Sequence, residues 1–236
     1  MDIHKPKPWH NWREFLKELG TIALGVCIAL AAEQGVEWLH WQAQVKVARQ
    51  ALLAEIADNN ARFFARRVAV HACMDRQINE ADAILTALEE KRPPGKFTNF
   101  RAGAGGQLVD SEWQSQRASQ VLTHFPHGEV AVMSFYYAQI PDFVGWNTEE
   151  FAAWSDLSVL QKPMAGMTVS DLLRLRSSLA LVRIVEGRIV FNAQRQLARA
   201  RQIGVPDIRN DPALVKEFCT TSLEESLRRN IANGSR

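Results

Sequence analysis

Between Val36 and Arg92 the chain contains neither Gly nor Pro, and apolar side chains return every three or four residues: Trp41, Val45, Ala48, Leu52, Ile56, Phe63, Val70, Met74, Ile78, Ala81, Leu85 and Leu88. That interval keeps them on one face of an α-helix and predicts the seam of a bundle or coiled coil. Only Asp58-Asn59-Asn60 competes with helix, because short polar side chains bond to nearby backbone groups, and the expectation is continuity or a mild kink. Pro93-Pro94-Gly95 ends the pattern. Residues 93–109 read as a loop with Phe97, Phe100 and a flexible Gly103-Ala104-Gly105-Gly106.

The same rhythm resumes beyond the loop. Helix is expected to restart near Asp110-Ser111, where either side chain caps free amides, and to carry Trp113 into the core. A segment from Glu129 to Ile140 should end at Pro141, with another starting at Asn147 as cap and Glu149 and Glu150 in its first turn. Thr168 and Asp171 have the spacing of a capping box. They open the most regular run, with Leu172, Leu175, Leu179, Val182, Glu186, Ile189, Ala193, Gln196, Ala200 and Ile203 on one stripe until Gly204 and Pro206. This long helix is the expected antiparallel partner of the first. Asp211-Pro212 has the cap and first-turn residues that begin a terminal helix. Strict alternation is nearly absent, so the fold class is all-α.

The amino-terminal pattern is different in kind. From Leu19 to Ala32 about fourteen residues carry no charge, fewer than the roughly 20 that cross a hydrocarbon core. The flanks extend it. Trp9 and Trp12 precede the block and Trp38 and Trp41 follow it, placing amphipathic rings where the two bilayer interfaces would lie. At 1.5 Å per residue Trp12 and Trp38 stand about 39 Å apart, close to a full bilayer with headgroups. Lys5, Lys7, Arg13 and Lys17 lie before the block, and no Lys or Arg follows until Lys46, so the amino terminus is expected to be cytoplasmic.

Two other readings compete with a retained span. Ala29-Leu30-Ala31 resembles the cleavage site of an export signal, although Glu14 and Glu18 dilute the basic leader and the helical pattern runs on to Trp41 without a breaker. A buried helix of a soluble protein is the third. The retained anchor is favoured, giving a tail over 1–17, a transmembrane anchor over 18–36 and a helical bundle domain over 37–236. Thr21, Gly25 and Ala29 recur every fourth residue, a small-residue stripe that lets membrane helices approach closely or that simply faces lipid.

Glu18-Leu19-Gly20-Thr21-Ile22 followed by Gly25-Val26-Cys27-Ile28-Ala29-Leu30, a polar-aromatic exit and a long helix, resembles a family of uncharacterised bacterial single-span membrane proteins. The resemblance covers about residues 14 to 60, with a weaker echo at Trp113, and departs at Cys27, where a bulky aliphatic is usual. It implies an inner-membrane location with a helical domain on the periplasmic side. It carries no activity and no catalytic residues.

Composition narrows the chemistry. The 28 basic and 26 acidic residues of the 236 nearly cancel, which gives no footprint for nucleic acid. No metalloprotease, nucleophile-elbow or nucleotide-loop motif is present, so neither an enzyme nor a cofactor or metal is expected. His124, His127 and Glu129 share a turn, but Pro126 prevents a helix from presenting both imidazoles, and a solvated turn is the preferred reading. Cys73 and Cys219 are the two thiols outside the block. In an oxidising compartment they could bond, although two separate buried thiols is the simpler expectation. Glu186 interrupts the apolar stripe. Desolvation favours its carboxylate at the seam's edge in water, and the alternative is a polar anchor for a ligand or for a buried Arg, Arg66 or Arg67. The expected role is a membrane-anchored interaction or scaffold protein, an accessory subunit or homo-oligomer whose partners are the lipid bilayer and another membrane protein or itself. An extracytoplasmic ligand-binding sensor is the alternative.

Overall fold

A computed structural model describes residues 12–97, 103, 105–161, 166–208 and 210–220, excepting the side chain of Leu214. Trp9, Lys5, Lys7, Phe100 and Ala104 lie outside the described residues. The protein is all-α, with no strand among those residues. Helix α1 (Trp12–Asn59) passes through a π-helical turn, Asn60–Phe64, into α2 (Ala65–Glu89). Together they form one rod of 78 residues, about 117 Å long at the α-helical rise.

The interruption at Asn59-Asn60 is thus a widened turn, and it is held by specific contacts. Asn59 pairs through its amide with both backbone groups of Val109, at 2.7 and 2.9 Å. Gly106 N–H donates to the Arg62 carbonyl at 2.9 Å, taking up a group inside the wide turn. The glycine loop therefore does not hang free. A Cβ on Gly105 would lie 2.5 Å from the Phe63 ring, so only glycine lets the loop approach this closely.

Four further helices build the bundle and a seventh closes it: α3 (Ser111–Ala118), α4 (His127–Ala138), α5 (Ile140–Leu157), α6 (Val169–Gln202) and α7 (Pro212–Thr220). Helix α6 runs antiparallel to the rod, since Arg49 reaches the Ile203 carbonyl, Arg67 reaches Glu186 and Arg176 reaches Asp82 and Glu89. Helix α5 is antiparallel to α6, with Ser178 on Asp156 at 2.9 Å. The capping box at the start of α6 is complete, Thr168 and Asp171 bonding reciprocally. Asp211 accepts from Ala213 N–H at the start of α7.

Two of the expected boundaries are corrected. Pro141 does not end a helix. It occupies the first turn of α5, where its missing N–H is harmless, and Asn147 lies in mid-helix without a capping role. At α3 the side chain of Asp110 makes no cap bond. Glu55, reaching over from α1, accepts from Ser111 Oγ and the Glu112 and Trp113 amides instead. This carboxylate at a helix start satisfies orphan donors and complements the helix dipole.

The buried apolar residues fall into two clusters along the rod. One contains Leu52, Ile56, Phe64, Trp113, Tyr136, Phe143 and Ile189. The other contains Met74, Ile78, Leu85, Trp154, Leu175 and Val182. Residues 12–40 join neither core, and the apolar window of the rod is 0% buried.

Candidate functional site

Where the two cores meet, the bundle interior is charged. Arg67 Nη2 donates to Glu150 Oε2 and to Glu186 Oε2, each at 2.6 Å. All three side chains are essentially unexposed. Glu186 therefore does not sit at the seam's edge with its carboxylate in water. Helical periodicity places it squarely in the stripe between Val182 and Ile189, and the guanidinium supplies the compensation that an isolated buried carboxylate would lack. The partner is Arg67 rather than Arg66, whose guanidinium lies 5.8 Å from the Phe218 ring centre.

Neighbours extend the set. His71, one turn beyond Arg67 and 42% exposed, places Nδ1 3.2 Å from Glu186 Oε1. Its imidazole joins solvent to the buried carboxylates. Burial pushes the Glu150 carboxyl above its ordinary value; Arg67 pulls it back and the nearby Glu186 charge pushes it up again. Arg67 Nε and Nη1 meet no protein acceptor. One guanidinium facing two carboxylates leaves a negative charge uncompensated, which favours a proton on Glu150.

Sequence reasoning placed Glu150 in a first helical turn and missed this role. Its membership follows from α5 beginning at Ile140, which carries Glu150 to the buried face beside Ala153 and Trp154. The only local signal was a carboxylate three residues before a buried Ala-Trp pair.

Cys73 and Cys219 are joined in a disulfide with Cα atoms 5.6 Å apart, linking α2 to α7. The two are not separate thiols. Cys27 is a free, exposed thiol on α1. His124 and Glu129 are drawn to different partners: His124 stacks on Trp41 with ring centres 3.9 Å apart, and Glu129 accepts from Arg49 Nε at 2.8 Å.

The groups singled out on α1 lie on its unburied part. Trp12 is exposed and stacks on Phe15 at 5.3 Å between ring centres, and Trp38 is exposed too. Trp41 is only half-buried, through its contact with His124. Along the stripe, a Cβ on Gly25 would meet nothing within 4 Å, and the Thr21 hydroxyl donates to the Lys17 carbonyl at 2.9 Å. Leu19, Ile22, Leu24, Val26, Ile28 and Leu30 are all at least half exposed. At about 100° per residue these side chains fall on two sides of the helix, separated by the Thr21, Gly25 and Ala29 stripe on one flank and by small residues such as Ala23 and Ala31 on the other, so no face from Leu19 to Ala32 carries a charge. This is the one candidate membrane span among the described residues. No family model, curated protein or solved structure matches the chain.

Proposed function

We propose that the protein is a membrane-anchored helical interaction module, an accessory subunit of a membrane complex or a homo-oligomer, in which residues 18–36 span the bacterial inner membrane, the amino terminus is cytoplasmic and the bundle is periplasmic. One observation carries the reading. The apolar stretch of α1 projects from a bundle that satisfies its own cores, with no charge on any face from Leu19 to Ala32 and no burial. A helix hydrophobic on every side requires hydrocarbon or a protein partner around it. Arg13 and Lys17 before the stretch, against Glu33 and Glu37 after it, set the orientation by the asymmetry of basic residues.

The Cys73–Cys219 bond supports the far-side placement, because disulfides persist in oxidising compartments. The stripe of Thr21, Gly25 and Ala29 supports contact with another membrane helix, since nothing among the described residues covers it. The test joins topology to assembly. Under this reading the chain stays in carbonate-washed membranes at full length, a reporter fused after Arg236 is active only outside the cytoplasm, and the detergent-extracted chain migrates as a stoichiometric complex that Gly25→Ile disperses. Carbonate release, a shortened chain or a cytoplasmic carboxyl terminus refutes the anchor. A lone chain indifferent to Gly25→Ile refutes the assembly role.

A further inference from the structure

A groove of about 380 Å³ lies between the outer part of α1 and the 3-10 turn Val121–His124, lined by Gln34, Glu37, Trp38, Trp41, Gln42 and His124. Its α1 residues stand three, four, seven and eight positions beyond Gln34, so they share one helix face. The groove is placed at a definite depth. Lys17 and Glu37 are separated by 20 residues of helix, about 30 Å along the axis, which is the thickness of a hydrocarbon core. Because the Lys17 ammonium reaches its headgroups from about one turn inside the boundary, Gln34 stands at the opposite boundary and Glu37 and Trp38 just beyond it, among the lipid headgroups.

The lining has a specific chemistry. Trp38 is exposed, and Trp41 is held by stacking on His124, so two indoles border the space beside one carboxylate. Aromatic faces and a carboxylate together attract an organic ammonium, the rings through their quadrupole and the carboxylate through charge and hydrogen bonding. Trp41 Nε1 donates to Glu37 Oε1 at 3.4 Å, which orients the carboxylate and leaves Oε2 for a second donor. Gln34 lies one turn nearer the bilayer centre. The backbone positions of Gln34 and Glu37 are about 4.5 Å apart along the axis, comparable to the reach of a two-carbon ethanolamine arm from its phosphate. The order matches a phospholipid, phosphate inward and ammonium outward.

We propose that this groove binds the headgroup of a phospholipid bearing a primary ammonium, phosphatidylethanolamine, with Glu37 accepting from the ammonium, Trp38 and Trp41 against its methylene and charged surface, and the Gln34 amide donating to the phosphate. The proposal rests on the anchor reading above, which supplies the lipid. A primary ammonium is chosen over choline because Glu37 Oε2 is a hydrogen-bond acceptor, and a quaternary nitrogen has no N–H to give it.

The test uses the purified full chain in mild detergent, titrated with phosphatidylethanolamine, phosphatidylcholine or phosphatidylglycerol of identical acyl chains, with lipid adducts read by native mass spectrometry. At least fivefold more adduct is expected with phosphatidylethanolamine than with the other two. Glu37→Gln and Trp38→Leu remove that preference, whereas Glu33→Gln, which is exposed outside the groove, keeps it. Equal adducts from all three lipids, or a preference unmoved by Glu37→Gln, overturn the headgroup site while the anchor stands. Displacement of the lipid by equimolar soluble phosphoethanolamine assigns the groove to a free amine and also overturns it. Release of the chain by carbonate overturns anchor and site together.

Discussion

Arg67 on α2 and Glu186 on α6 meet at 2.6 Å across 119 residues of chain, both sealed from solvent at the boundary of two apolar cores. Removing one member of such a set leaves an uncompensated buried charge, which costs about 3–5 kcal/mol, whereas replacing all members with apolar groups is often neutral or stabilising. Arg67→Met should therefore lower the urea midpoint of the full chain steeply. The triple variant Arg67→Met, Glu150→Leu, Glu186→Leu should recover most of the loss. A single variant as stable as the parent would show that the ion set does not hold the cores in register.

The pH response follows from Glu150. Burial raises its folded-state value above the unfolded value of 4.5, so between the two the folded chain binds the extra proton. The contribution of Glu150 to stability is then fullest below 4.5 and drains as pH rises through its folded-state value. Glu150→Gln should flatten this decline in a series of urea midpoints above pH 4.5. Asp82 acts in a separate window: burial pushes it up, but hydrogen bonds and charges from Arg176 and Arg183 outweigh this and hold it below its ordinary value. Its contribution is present above about 3.8 and is lost as pH falls further. Asp82→Asn should therefore lower the midpoint at every pH above about 3.8 and flatten the acid limb, leaving the slope at higher pH unchanged.

The disulfide between Cys73 and Cys219 closes a chain segment of 146 residues. A cross-link over so long a loop limits the unfolded ensemble and typically contributes about 2–5 kcal/mol. Reduction, or Cys73→Ser, should shift electrophoretic mobility under non-reducing conditions and lower the unfolding midpoint. Loss of amide protection should begin in α7, which this bond ties to α2 together with Phe218 packed in the distal core. Protection unchanged in α7 would show that its apolar contacts suffice without the bond.

Features set by local chemistry could be read from the chain. The Thr168–Asp171 box, the Asp211-Pro212 start and the apolar stripe of α6 depend on spacing over a few residues, and they form where that spacing put them. Pro141 misled because proline both follows helices and opens them, and only the continuing burial of Ile140 and Phe143 distinguishes the cases. Glu186 misled for a different reason. The desolvation cost of a carboxylate is visible in its identity, but its compensation by Arg67 lies more than a hundred residues away, and no local pattern announces it. Glu55 as the cap of α3 is likewise a contact made through space, invisible beside the adequate local candidates Asp110 and Ser111.

The glycine cluster carries the last prediction, because its role was obscured by the same limit. Four small residues after a Pro-Pro-Gly break read as a flexible loop, yet Gly106 is bonded to the π turn and Gly105 lies flat against Phe63. Phe63 cannot retreat easily: it is 2% exposed and packs edge-on against Phe64 and Phe143. Gly105→Ala should therefore push the loop off the rod or the ring off its rotamer, costing about 1–3 kcal/mol as overpacking does. Gly95→Ala, where an added Cβ meets nothing within 4 Å, is the matched control and should change the midpoint little. If the loop is displaced, the Asn59 pairing with Val109 is strained with it, so amide exchange at Val109 should rise in Gly105→Ala and stay at the parent rate in the control. Equal midpoints and equal Val109 exchange in the two variants would show that close approach of the glycines does not fasten the loop to the widened turn.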